Sequence, residues 1–168
     1  MTPAVAEAAI RDFQDTFAAV RQEIARVVVG HEHAIDVILT AFFAGGHVLI
    51  EGVPGIGKTL IVRSLAEALD LTFNRVQFTV DLMPADITGT RVINEGTDGR
   101  REFVFVPGPV FAHILLADEI NRATPKTQSA LLEVMEERTV TVDGTTHRMA
   151  EPFQVLATMN PLDHEGTF

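Results

Sequence analysis

The stretch Gly52-Val53-Pro54-Gly55-Ile56-Gly57-Lys58-Thr59 constrains this chain more than any other. The apolar run Val48-Leu49-Ile50 precedes it, and Leu60-Ile61-Val62-Arg63-Ser64-Leu65-Ala66 follows at helical spacing. Strand, glycine-rich turn and helix in that order form an anion cradle. Glycines let successive backbone N–H groups curl around an anion with no Cβ in the way. The helix start adds unpaired N–H groups and partial positive charge. In such a cradle Lys58 reaches the β- and γ-phosphates of a nucleoside triphosphate, and the Thr59 hydroxyl ligates Mg²⁺. A turn that only links two elements also matches the bare pattern. The flanking strand and helix favour the phosphate reading.

A second element bears on catalysis. His113-Ile114-Leu115-Leu116-Ala117-Asp118-Glu119 is an apolar run ending in two carboxylates. Such a run reads as a strand buried on both faces of a parallel sheet. Carboxylates at its C-terminal end lie where open α/β sheets bind ligands. Asp118 is placed to hold Mg²⁺, directly or through water, and Glu119 to polarise the water that attacks the γ-phosphate. The bland alternative is a strand that ends in solvated acids. A third run, Val155-Leu156-Ala157-Thr158-Met159, closes on Asn160 and Pro161. Proline cannot continue a central strand. The Asn160 amide can bond both a γ-phosphate and the attacking water, or simply serve as a turn residue before proline.

With 168 residues the chain is one domain or most of one. Its 46% hydrophobic and 21% charged content is ordinary for a globular protein. No apolar run has the length of a membrane span, and the first residues carry no basic secretory signal. The chain contains no cysteine, which excludes disulfides and fits a reducing cytoplasm. A net charge of −10 disfavours nonspecific nucleic-acid binding. The scattered histidines offer no transition-metal spacing.

Ile10, Phe13, Phe17, Val20, Ile24 and Val27 recur at steps of three and four, an amphipathic helix that packs on the domain or on a partner. A second helix is expected from about His33 to Ala44, ended by Gly45-Gly46. Strands are expected at about His47–Glu51, Phe73–Thr79, His113–Asp118 and Phe153–Met159. A hairpin is expected from Thr90–Ile93 and Arg101–Val106 around Asp98-Gly99. A helix from about Pro125 to Glu136 and a second hairpin turning at Asp143-Gly144 complete the reading. The division is residues 1–29, an N-terminal helix, and 30–168, a nucleotide-binding core.

In this order the motifs resemble the AAA+ ATPases, and more narrowly the MoxR type. Four stretches carry the resemblance: Ile50 to Thr59; Arg75-Val76-Gln77-Phe78-Thr79 with Asp86-Ile87-Thr88-Gly89; Leu116 to Ala123 with Lys126 to Glu133; and Ala157-Thr158-Met159-Asn160-Pro161. The resemblance implies a P-loop three-layer α/β/α fold with a mostly parallel sheet and two hairpin insertions. It implies ATP and Mg²⁺ as cofactors, with a Walker A motif at Gly52, Val53, Pro54, Gly55, Ile56, Gly57, Lys58 and Thr59, followed by Leu60. Walker B falls at Asp118 and Glu119, and sensor 1 at Asn160. Catalysis is thus expected from Glu119, Lys58 and Asn160, and metal binding from Thr59 and Asp118. Val29 and Gly30, beside His31, are implied as adenine contacts. Such proteins are similar to cytoplasmic chaperone-like motors that form hexameric rings and work with von Willebrand factor A domain partners.

The family pattern would continue past Phe168 into an arginine finger, a fifth strand, sensor 2 and a helical lid. With the family's strand order 5-1-4-3-2, His47–Glu51 is then expected at a sheet edge, with weak solubility, no stable hexamer and little ATPase activity for residues 1–168. A nucleotide-binding module without appreciable turnover is the alternative function. A nucleic-acid motor on the same fold is a third, disfavoured by the charge.

Overall fold

A computed structural model of the chain describes residues 2–53, 55, 57–95 and 101–161. Helices α1 (Pro3–Ala25) and α2 (Glu32–Phe43) precede β1 (Val48–Glu51), α3 (Lys58–Ala68) and β2 (Phe73–Gln77). The short helix α4 (Pro84–Thr88) leads into the strands β3 (Gly89–Glu95) and β4 (Arg101–Pro107). Then come β5 (Ile114–Asp118), a 3-10 turn (Ile120–Arg122), α5 (Pro125–Glu137), the hairpin β6 (Thr139–Val142) and β7 (Thr145–Arg148), and β8 (Gln154–Met159).

The central sheet is parallel with order β1-β8-β5-β2. This is the expected 1-4-3-2 order, and among the described residues no strand pairs with the outer edge of β1. The middle strands are buried on both faces. Ile114, Leu115, Leu116 and Ala117 have no exposed surface. Their period of two feeds two cores. Ile114, Leu116 and Leu156 point toward α1, α2 and α3, packing with Ile24, Leu39 and Leu65. Leu115, Ala117 and Val155 point the other way, packing with Phe78, Leu131 and Val134. Burial on both sides is what makes this a three-layer α/β/α molecule.

The stripe on α1 packs mainly through its C-terminal half. Val20 and Ile24 are buried, whereas Ile10 and Phe13 are about half exposed. The Phe13 ring still meets Phe43 edge-on at 5.2 Å. Val27, expected in the stripe, is exposed, and Val28 is buried instead. The helix ends at Ala25, so the helical phase no longer applies beyond it. The second helix starts one residue before its expected position. Strand β2 stops at Gln77, two residues early, although Phe78 N–H still donates to the Asp118 carbonyl at 2.8 Å. Helix α5 starts as its sequence demands: Pro125 occupies the first turn and the Thr124 side chain accepts from Thr127 N–H. Both hairpins form, the first pairing Val92 with Val104 and the second Val140 with His147. The expected turn at Asp98-Gly99 lies outside the described residues.

The first hairpin is tied down at its base by two glycines in close approach. A Cβ on Gly108 would lie 2.3 Å from the Ile87 carbonyl oxygen and 2.4 Å from Gly89 N. Gly89 itself has φ +97, and a Cβ there would sit 2.5 Å from the Val106 carbonyl oxygen. All of these neighbours are backbone, so nothing can rotate away. Gly108→Ala is expected to cost about 2–3 kcal/mol by overpacking. Urea unfolding checks this; a midpoint equal to that of the unsubstituted chain would rule out the close approach.

At the opposite end of β1 from the glycine-rich turn, His47 joins three elements. Val155 N–H donates to His47 Nδ1 at 2.9 Å. Nε2 therefore carries the proton and faces the Met135 carbonyl at 3.4 Å. Burial lowers the pKa of His47 from its usual 6.5, with a further lowering by Arg138 and a partial offset from the Met135 hydrogen bond. The fold thus favours the neutral ring. Its contribution is present above the unfolded value of 6.5 and is lost as pH falls through the lowered folded value. His47→Asn should flatten the decline in stability between pH 7 and 5, measured as urea midpoints; parallel profiles would refute the assignment.

Candidate functional site

Every strand of the parallel sheet ends on the same side, and the site lies along that ledge. Register sets it: Gln77 pairs with Asp118, and Glu51 with Met159. The glycine-rich turn leaves β1 here. Gly52 N–H donates to the Met159 carbonyl at 3.1 Å, fastening the start of the turn to β8. Gly55 and Gly57 both adopt φ +85, with open space where a Cβ would project. Gly57 is the residue that opens α3, so Lys58, Thr59 and Leu60 form its first turn. Their N–H groups belong to the set with no intrahelical acceptor.

A cavity of about 440 Å³ lies over this turn. Gly55, Gly57, Lys58, Thr59 and Leu60 line one side. Asp118, Glu119 and Asn160 line the other, joined by Arg75 and Gln77. Eight residues anticipated from sequence therefore meet in one place. Gly52 and Val53 are not in the lining, although the Gly52 carbonyl accepts from Lys58 Nζ. Val29 and Gly30 do not line the cavity either; Val29 is 87% exposed. Pro54 and Ile56 lie outside the described residues.

The two acids are held differently. Asp118 retains 13% side-chain exposure and faces the Arg75 guanidinium at 2.7 Å. Its other oxygen accepts the Thr158 hydroxyl. The Thr158 oxygen in turn accepts from Glu119 N–H at 3.0 Å, so one buried threonine positions both acids. Glu119 has left-handed backbone, φ 57 and ψ 49. That conformation is uncommon for a residue with a Cβ. It breaks the strand and turns the chain into the 3-10 turn, where Arg122 Nε lies 3.1 Å from the Glu119 carboxylate. Asn160 is buried at the end of β8.

Sequence reasoning did not assign Arg75, Gln77 and Thr158 to the site. Thr158 left one signal, a hydroxyl inside an otherwise apolar central strand. Arg75 and Gln77 alternate on β2 like any half-exposed strand, and only the pairing of β2 with β5 brings them to Asp118.

The lining suits a triphosphate with a divalent cation. Lys58, the turn's backbone and the start of α3 offer positive charge and N–H donors for phosphates. Thr59 and Asp118 offer the hydroxyl and carboxylate oxygens that Mg²⁺ prefers. Among the described residues no three His, Asp or Glu side chains gather around a metal point. Among the described residues no helix is long and apolar enough to cross a membrane.

Comparison with known proteins bears on family and fold. Residues 47–168 match the family described as ATPase family associated with various cellular activities (AAA). YeaC, an uncharacterised protein of Bacillus subtilis, is 53% identical over 147 residues, covering 88% of this chain and 45% of YeaC. Chaperone MoxR1 of Mycobacterium tuberculosis is 51% identical over 146 residues, covering 87% of this chain and 38% of MoxR1. A crystal structure from Cytophaga hutchinsonii, described as a conjectured ATPase, is 44% identical with TM-score 0.78, covering 95% of this chain and 50% of that one. The chain thus spans about half the length of the relatives it matches. On this match and its sheet order, the chain belongs to the AAA+ ATPases of MoxR type.

Proposed function

We propose that this cavity binds ATP with Mg²⁺ and that the same residues hydrolyse it. The convergence of Lys58, Thr59, Asp118, Glu119 and Asn160 on one cavity at the C-terminal edge of a parallel sheet carries the reading. Lys58 leaves the Gly52 carbonyl for the β- and γ-phosphates. The backbone N–H groups of the glycine-rich turn, Gly52 to Thr59, would bind the phosphates, and Leu60, in the cavity lining, would flank them. Thr59 and Asp118 would hold the cation, which would supply Lewis-acid stabilisation of phosphate charge there. Glu119 accepts a proton from water, and Asn160 orients that water against the phosphate. Val29 and Gly30 take the adenine if the ligand extends past the cavity to them.

The relatives extend the proposal. One is named a chaperone. We infer a motor that uses ATP to remodel or mature a client complex in the cytoplasm. It would act as a ring of copies, with a von Willebrand factor A domain protein as a candidate partner. A second reading has its own support: both acids already have arginine partners, Asp118 with Arg75 and Glu119 with Arg122. A module that binds nucleotide without turnover fits those pairings. Calorimetry of the 168-residue chain with ATP and Mg²⁺ tests binding, with Kd expected between about 1 μM and 1 mM. Phosphate release then separates the two readings. Absence of heat at millimolar nucleotide would overturn both.

A further inference from the structure

Arg75 stands on β2, beside the strand that ends in Asp118, and pairs in register with Leu116. Its side chain reaches along the strand to one carboxylate oxygen. Nη2 donates to Asp118 Oδ2 at 2.7 Å and Nε donates to the same atom at 3.1 Å. The Thr158 hydroxyl donates to Oδ1. Each oxygen of the carboxylate proposed to hold the cation is therefore already engaged. A cation approaching Oδ2 meets the guanidinium, and two positive groups at one oxygen repel each other.

The pair is also unequal in burial, at 48% side-chain exposure for Arg75 against 13% for Asp118. The acid needs a counter-charge where it sits. The arginine does not need this acid: it reaches solvent, and Gln77 Oε1 already takes a second bond from Nη2 at 2.9 Å. We propose that Arg75 is a displaceable counter-ion, which neutralises Asp118 until a divalent cation arrives with nucleotide and then yields Oδ2 to it. Arg75 is on this view a positioning residue that sets how much cation the site requires. The proposal rests on the nucleotide reading above.

The test uses the 168-residue chain, a slowly hydrolysed fluorescent ATP analogue at saturation, and Mn²⁺ followed by its electron paramagnetic resonance signal. Removing a competitor strengthens the other ligand. Arg75→Ala should lower the half-saturating Mn²⁺ concentration about two- to fivefold, the upper part of the range for a partly exposed ion pair. Arg75→Lys keeps the charge without the fork and should fall between. A melting temperature supplies the second readout. Arg75→Ala should melt earlier than the unsubstituted chain in EDTA, and the gap should shrink with Mn²⁺ and analogue present. An unchanged or higher half-saturation, or an equal melting gap in both conditions, would show a fixed clamp and overturn the proposal. If the unsubstituted chain binds analogue with no cation dependence, this proposal and the nucleotide reading both fail.

Discussion

Glu119→Gln is expected to leave ATP bound and to slow its hydrolysis by about 10²–10⁴, the range for loss of a general base. The substitution keeps the shape and the hydrogen-bonding capacity of the side chain and removes only the charge. Backbone geometry should survive, because the Glu119 N–H bond to Thr158 does not involve the side chain. The left-handed φ of 57 is no harder for glutamine than for glutamate. Arg122 loses an ionic partner on a half-exposed surface, and such pairs contribute at most about 1 kcal/mol. Binding and folding are therefore separable from chemistry at this position. The measurement is single-turnover phosphate release beside calorimetric ATP binding, in a form of the protein that turns over ATP. Near-normal release would assign the base to another residue.

Lys58→Ala should act on binding. Lys58 is the first residue of α3 after the Gly57 cap, and its ammonium lies against the Gly52 carbonyl inside the turn that would wrap the phosphates. Charge-assisted hydrogen bonds contribute about 1.5–3 kcal/mol each, so losing the contact should weaken ATP about 10- to 10²-fold. Alanine is a good helix former, so α3 should persist. Equal calorimetric affinity before and after the substitution would mean that the anion cradle is not used for phosphate.

Much of this was legible in sequence because the informative residues are local. The glycine-rich turn is flanked by its own strand and helix, and Asp118 and Asn160 close apolar runs. Each of those signals sits within ten residues of chain, and the resemblance supplied the strand order. What stayed hidden depends on contacts between distant segments. Arg75 meets Asp118 across 43 residues and Val155 meets His47 across 108. The crossing of Gly89 and Gly108 looks from sequence like two ordinary turn residues. Val27 misled for a different reason: its spacing continued a helical period past the point where the helix had ended. The cavity does not reach Val29 or Gly30, so it lends no support to the adenine role that the resemblance implies for them.

Strand β8 links the glycine-rich turn to the acids of the site. It pairs with β1, which launches the glycine-rich turn, and with β5, which ends in the acids. Its Met159 carbonyl fastens Gly52, its Thr158 hydroxyl bridges Asp118 and Glu119, and Asn160 follows at its tip. Three consecutive residues thus hold the glycine-rich turn, both acids and the terminal amide together. Close packing on both faces leaves such a strand no room to bend locally. A small slide along its own axis would move all four groups at once, like a drawbar. Whatever pushes on the tip of β8 would be felt at the start of β1 without any loop having to carry the message.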